Sequence, residues 1–481
     1  MATTLAGRGQ ILSGRVLDLP VRLDPSIRNQ SRQVHAALRS AIVDGLLSPG
    51  LKLPSSRALA EQLKVRRNAI VAAYEHLLSD GLVEARHGAG TYVAAELPRL
   101  PSALPAAAPH LESIPRSAFA LGNTRADAHL LRRLGSAVRR CIVTATSEEL
   151  GYGDPRGSPR LRSQIAQHLA AGRGIRCDPS CVIVVSGTQH AIRLCVDALL
   201  SRGDTIWMED PGYYAARTTL QAAGMKLVPV PVDAEGIVVA AGLKADAAAK
   251  AAYVTPSHQF PTGVTMSMSR RVALLEWARS SQSWIFEDDY DSEFRYAGPP
   301  LTALAGIGGE RVIYVGTFTK ILFAGLRLGY VVLPPGAVDR VVAARAAFDR
   351  FPPRFTQDAV ADLMADGTLA AHTRRMRTCY REARDVVAEV LTRAAGETLR
   401  VVVPTQGLHL IAYLPRRVPQ RVVAEIKRRA GVEAKLLSET RIVRGEQDGF
   451  ILGYSGYDIP ELAAAAERLG RSASELIGRG R

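Results

Sequence analysis

The chain has 481 residues, 47% of them hydrophobic and 22% charged, which excludes a disordered, collagen-like or coiled-coil protein and leaves room for at least two domains. Its 61 Lys and Arg against 46 Asp and Glu give a formal net charge of +15, a balance that suits a polyanionic partner or diffuse solubilising charge. No apolar run reaches the roughly 18 residues that a membrane-spanning helix needs.

The opening MATTLAGRGQILSGRVLDLP holds neither a signal-peptide core nor a lipidation signal, so a soluble cytoplasmic chain with no membrane attachment is expected. Cys141, Cys177, Cys181, Cys195 and Cys379 are odd in number and lack a CxxC spacing. They read as reduced core thiols, and no metal site is expected.

From Gln33 to Val43, Val34, Leu38 and Ile42 recur every four positions and Gly45 follows, which predicts a helix with one buried face. After the loop SPGLKLP, Ser55 or Ser56 can cap a short helix through Leu63, with Leu59, Ala60 and Leu63 as its stripe. A third helix is predicted over VRRNAIVAAYEHLLSDGL, with Ile70, Ala73, Tyr74, Leu77 and Leu78 inward and Arg66, Arg67 and Asn68 at its exposed start. LVEAR and TYVAA then alternate as two strands around the tip His87-Gly88-Ala89-Gly90. Three helices and a hairpin make the winged-helix order, in which the third helix enters the DNA major groove while basic side chains and backbone amides hold phosphates. The candidate DNA contacts are Ser55, Arg57, Lys64, Arg66, Arg67, Asn68, Arg86, His87 and Gly88. Residues 1–100 carry 13 Lys and Arg against 8 Asp and Glu, a net +5 that makes this region the more basic one per residue. The stretch LPSSRALAEQLKVRRNAIVAAYEHLLSDGLVEARHGAGTYVA resembles the GntR-type winged helix-turn-helix, which implies a DNA-binding domain over residues 27–95. It departs from that family at Arg66, where a small polar residue is usual.

Residues 96–117 hold Pro98, Pro101, Pro105, Pro109 and Pro115 among Ala and Ser, and read as a semi-rigid linker. Beyond it, residues 118–475 alternate β-type runs with helical stretches: CVIVV (181–185), TIWM (205–208), AAYV (251–254), WIF (284–286), VIYV (312–315) and YVVL (330–333). That alternation predicts an α/β domain with a mostly parallel sheet, whose ligands gather at the carboxyl ends of the strands. Five polar clusters fall there. Ser186-Gly187-Thr188-Gln189 opens a helix whose free amides could hold a phosphate. Asp210-Pro211-Gly212-Tyr213-Tyr214 offers an aromatic face, and SHQFPTG (257–263) follows the third strand. Asp288 and Tyr290 of EDDYDSEFRY could pair with a protonated ring nitrogen and a ring oxygen. Lys320 of GTFTK, with Arg327 seven residues on, is a Schiff-base candidate.

In order and spacing these clusters resemble the class I aminotransferase type of pyridoxal-phosphate fold (fold type I). The resemblance implies that pyridoxal 5'-phosphate is bound, with Lys320 carrying the internal aldimine, Asp288 on the pyridine nitrogen and Tyr290 on the ring hydroxyl. Tyr213 would stack on the ring. Gly187, Thr188, Gln189, Thr317, Thr319 and Arg327 would form the phosphate cup, and Tyr152 of GYGDPRG would reach it from a second subunit.

A GntR-like winged helix-turn-helix joined to such a domain resembles the MocR/GabR group of bacterial transcriptional regulators. Phe260 stands where true transaminases usually show Asn. The region GFILGYSGYDIPEL lacks the arginine that fixes a substrate carboxylate in class I transaminases, although Arg441 or Arg444 could substitute. Both features favour a regulator that senses a small amine or amino acid, or pyridoxal phosphate itself, through aldimine chemistry and passes the signal to DNA. A homodimer gripping two operator half-sites of double-stranded DNA is expected, nucleoid-associated when bound. The alternative is an aminotransferase with an accessory winged helix, and slow residual transaminase turnover is compatible with either reading.

Overall fold

The computed structural model describes residues 23, 29–97, 117–415 and 418–478. The proline-rich linker falls almost wholly outside the described residues, as do positions 27 and 28. The chain divides into two compact units, Met1–Ser113 and Ile114–Arg481.

In the first unit, helices form over Gln30–Val43, Ser56–Leu63 and Arg67–Ser79, and strands β1 (Val83–Arg86) and β2 (Gly90–Val93) pair antiparallel. Ser55 is the cap of the second helix, its hydroxyl accepting from the Ala58 amide at 3.2 Å. Val34, Leu38, Ile42, Leu59, Ile70, Ala73, Tyr74 and Leu77 enclose one core, as the four-residue spacing requires. Leu78, expected inward, is 47% exposed, because the inner stripe of this helix runs along 70, 73, 74 and 77 and leaves 78 on its edge. The loop SPGLKLP is more ordered than its glycine and prolines imply. Leu51 and Leu53 exchange backbone hydrogen bonds with Val93 and Thr91, adding a short third segment beside β2.

The second unit is built on an eight-stranded sheet: β3 (Val182–Val185), β4 (Thr205–Asp210), β5 (Lys226–Asp233), β6 (Gly236–Ile237), β7 (Ala251–Val254), β8 (Trp284–Asp289), β9 (Val312–Thr317) and β10 (Gly329–Val332). Their spatial order is β3-β10-β9-β8-β7-β4-β5-β6. The neighbours from β9 across to β5 run parallel, while β10 is antiparallel to both β3 and β9 and β6 is antiparallel to β5. Strands β3, β7 and β10 are buried at every position, the signature of a sheet covered by helices on both faces. A second, antiparallel sheet of β11 (Arg400–Val402), β12 (His409–Tyr413), β13 (Lys435–Leu436) and β14 (Gly449–Gly453), ordered β11-β12-β14-β13, shares a core with helices Thr368–Ala395 and Ile459–Gly478. The β-type runs that mark the large sheet do not extend to this one, whose β11 and β13 are only 3 and 2 residues long.

The register of the large sheet concentrates polar residues at one end. Gly329 pairs with both Val185 and Thr317, so the ends of β3, β10 and β9 lie side by side. A Cβ at Gly316 would lie 2.3 Å from the Tyr330 ring, and one at Gly329 2.9 Å from the Gly316 carbonyl oxygen. Glycine at these two positions therefore permits the close strand contact just behind the Thr317–Lys320 turn.

Candidate cofactor site and nucleic-acid face

One pocket at this end of the large sheet is lined by Gly187, Thr188, Gln189, Tyr213, Asp288, Tyr290, Thr317, Thr319, Lys320 and Arg327. Ten of the sequence-nominated residues thus meet in one cavity. Gly187 caps helix Thr188–Leu199 with φ +113°, a backbone state that only glycine adopts without strain, and a Cβ there would stand 3.5 Å from the Arg327 guanidinium. Arg327 is itself left-handed at φ +50°. The helix amides, the Thr317 and Thr319 hydroxyls and this guanidinium could together hold an anion.

Lys320 is half-buried, and desolvation lowers its ammonium against the opposing pull of Asp291 and Asp288. Burial likewise pushes the Asp288 carboxyl up to about 7. Its Oδ2 accepts from the Tyr253 hydroxyl, while its Oδ1 is sealed without a partner. A buried carboxylate with an open lone pair fits a cationic ring nitrogen, which would return it to its charged form. Residues and group are therefore compatible.

The sequence reading missed Tyr253, which does not line the pocket but holds Asp288 from behind and hides inside an apolar strand run, and it missed several lining residues. Leu121, Gly122, Leu408 and His409 come from segments without a motif and join only in the fold, and Thr255 opens the TPSHQFPTG stretch without having been nominated. Burial lowers His409 to about 3, and its Nε2 donates to the Pro261 carbonyl at 2.9 Å, so it is a neutral wall. Behind the pocket, Glu209, pushed up to about 7 by burial, accepts from the Thr255 hydroxyl at 2.7 Å and from Gln259 at 3.1 Å. Phe260 lines the pocket and packs edge-on against Tyr213.

Tyr152 is 81% exposed beneath the Arg350 guanidinium and is not among the residues lining the pocket. Neither Arg441 nor Arg444 lines it: the Arg441 guanidinium lies against Gly445, and Arg444 is exposed. The backbone amides of Ile442 and Val443 donate to Asp210 at 2.8 and 2.9 Å, tying this segment to the end of β4.

In the first unit, Ser55, Arg57, Lys64, Arg66, Arg67, Asn68, Arg86, His87 and Gly88 are all exposed. Arg66 caps the third helix without a side-chain capping bond, and Arg67 Nε donates to the Ser56 hydroxyl at 3.3 Å. Arg86 pairs with Glu84 at 2.6 Å and lies over the Tyr92 ring, so it would have to exchange that partner to hold a phosphate. Gly88, at φ +73°, forms the hairpin tip.

Residues 30–93 match the family "Bacterial regulatory proteins, gntR family", and residues 119–444 match "Aminotransferase class I and II". Fold and site thus define a helix-turn-helix regulator carrying an aminotransferase-type domain. The chain is 36% identical to the "Probable rhizopine catabolism regulatory protein MocR" of Rhizobium meliloti, over 89% of this chain and 90% of that one. It is 31% identical to the pyridoxine biosynthesis transcriptional regulator PdxR of Corynebacterium glutamicum, over 92% and 95% respectively. Among solved structures, the kynurenine aminotransferase of Pyrococcus horikoshii, crystallised with PMP, matches with a TM-score of 0.66 and 27% identity, over 72% of this chain and 87% of that one. The chain belongs to the MocR-type HTH transcriptional regulators, with a GntR-family domain followed by a class I and II aminotransferase domain. Among the described residues no helix is long and apolar enough to cross a membrane.

Proposed function

We propose that this regulator binds pyridoxal 5'-phosphate in the Lys320 pocket, senses a small amine or amino acid there, or the cofactor itself, and converts occupancy into altered DNA binding. The observation that carries the reading is the presence in one cavity of a half-buried lysine of lowered basicity and a buried, half-partnered Asp288. When bound, pyridoxal phosphate supplies an aldehyde carbon that takes up a primary amine. On the protein side, Gly187, Thr188, Gln189, Thr317, Thr319 and Arg327 hold the phosphate and Tyr213 covers the ring. Asp288 would keep a proton on the ring nitrogen, and Lys320 offers an amine more readily deprotonated than an ordinary lysine because desolvation disfavours its charge.

The domains we assign are a DNA-binding domain over 27–95, a linker over 96–117 and an effector domain over 118–475. The protein acts as a cytoplasmic homodimer in which Tyr152 completes the neighbouring subunit's cofactor site. Arg57, Lys64, Arg66, Arg67 and Asn68 face one half-site of double-stranded DNA, with Ser55, Arg86, His87 and Gly88 on the flanking backbone. Fluorescence anisotropy on a labelled promoter fragment from beside the coding gene tests the proposal, with apo protein, with cofactor, and with cofactor plus candidate amines. A change in affinity on adding cofactor, or cofactor plus amine, supports it. Affinity indifferent to both, together with multiple turnovers of amine and α-keto acid at useful rates, would favour the aminotransferase reading instead.

A further inference from the structure

We propose that His258 and Asp291 form a positioning pair that fixes the direction in which the Tyr290 hydroxyl proton points. The inference rests on the reading that the pocket takes pyridoxal phosphate.

The His258 and Asp291 side chains are each 1% exposed. His258 Nδ1 lies 2.8 Å from Asp291 Oδ2 and 3.1 Å from the Tyr290 hydroxyl, while its Nε2 is buried without a partner. The ring has no room to turn. A Cβ at Gly407 would stand 2.0 Å from its Cε1, and one at Gly263 would stand 3.3 Å from its Nε2; both glycines have positive φ, at +94° and +78°.

Proton accounting then decides the tautomer. With the proton on Nδ1, Asp291 accepts it, and the sealed Nε2 is merely an idle acceptor. With the proton on Nε2, an N–H is buried with nothing to receive it, and two bare acceptors, Nδ1 and Asp291 Oδ2, face each other. An unmet buried donor costs more than an unmet acceptor, so Nδ1 carries the proton. A protonated Nδ1 has no lone pair to accept from Tyr290, and the tyrosine proton must point elsewhere.

The other surroundings narrow that direction. Phe260 packs edge-on against the Tyr290 ring and offers no acceptor. Asp288, Asp289, Asp291 and Glu209 act on Tyr290 through space, Lys320 shares its pocket, and His409 is neutral. The open side is the cavity, where the hydroxyl donates to the oxygen of a bound ring. His258 and Asp291 thus act through Tyr290, and the residue they orient is the one that touches the cofactor.

The test is a spectroscopic pH titration of the cofactor-loaded protein, following the visible band of the lysine-linked cofactor. A donor on the ring oxygen favours its anionic, deprotonated state, so losing that donor raises the midpoint. Tyr290→Phe and His258→Leu are each expected to raise it by about one pH unit, tenfold in the protonation equilibrium. The double variant should move no further than either single one. His258→Asn, whose amide nitrogen can take the place of Nδ1, should restore the original midpoint. An unchanged midpoint in His258→Leu, or shifts that add in the double variant, would overturn the positioning role. If His258→Leu fails to fold, His258→Phe, which keeps the ring and removes both nitrogens without changing the Asp291 charge, must give the same upward shift. A wild-type protein that develops no visible band with pyridoxal phosphate overturns the reading of the pocket itself, a result distinct from an unshifted variant.

Discussion

If Asp288 pairs with the ring nitrogen as proposed, cofactor binding should depend on pH. Burial raises its carboxyl from the ordinary 3.8 to about 7, and its one hydrogen bond, from Tyr253, does not offset that. A cationic ring nitrogen on the sealed Oδ1 favours the ionised form. Returning the group to its ordinary value is a change of about three pKa units, roughly 4 kcal/mol of coupling between carboxyl ionisation and ring binding. The bound state therefore holds fewer protons than the free one. Below about pH 7 binding must expel a proton, so affinity climbs tenfold per unit as pH rises and levels off above about 7. The cofactor phosphate, with its second pKa near 6, and the Lys320 amine also titrate, but both persist in Asp288→Asn. Dissociation constants for pyridoxal phosphate, measured by fluorescence quenching from about pH 5.5 to 8.5 at fixed ionic strength, isolate the carboxyl. The ratio of variant to wild-type Kd should rise by about tenfold per unit from about pH 5.5, flatten above about pH 7, and approach one only near about pH 4. Parallel profiles would refute the pairing of Asp288 with a cation.

Gly187→Ala forces a side chain into a backbone state at φ +113° and sets its methyl 3.5 Å from the Arg327 guanidinium. Strain of roughly 1–3 kcal/mol should lower the melting temperature, and cofactor affinity should fall at least tenfold beyond that; wild-type affinity would remove Gly187 from the phosphate cup. Lys320→Ala should abolish the visible cofactor band while circular dichroism stays unchanged, and a retained band would exclude Lys320 as the attachment point. Arg67→Ala should weaken DNA binding across sequences and reduce the slope of log K against log salt by about one, whereas an unchanged slope would mean that Arg67 touches no phosphate.

Much of this site was legible because its residues sit in short runs beside strand ends. Gly187, Asp288, Tyr290, Thr317 and Lys320 each follow an apolar run by a few positions, and a parallel sheet necessarily gathers such positions at one edge. Tyr253 was not legible, because AAYV carries it as one more buried residue and only the neighbouring β8 turns its hydroxyl into a hydrogen-bond donor for Asp288. His409 and Leu408 come from a strand of the second sheet and the loop before it, 88 or more residues after Lys320 in the chain, where no local pattern announces a pocket wall. The antiparallel sheet escaped for a related reason. Its strands β11 and β13 are only 3 and 2 residues long, too short to show alternation. At Arg86 the exposure and charge are legible, but the partner is not: Glu84, two residues away on the same strand face, engages it and is seen only in the fold.

The arginines that sequence spacing offered for a carboxylate bear on enzyme against sensor. Arg441 is turned toward Gly445 and Arg444 outward, so within the described chain the cations lining the pocket are Lys320 and Arg327. In the proposed arrangement Arg327 serves the phosphate and Lys320 the aldehyde, which leaves the distal wall to Leu121, Phe260, Leu408 and the neutral His409. Capturing an amine needs only the lysine and the cofactor. Repeated transamination also needs each amino and keto acid held by its carboxylate in one reactive orientation, and a bidentate cation does this far better than an apolar wall. The amine-sensing role proposed above asks of this pocket only the first capability.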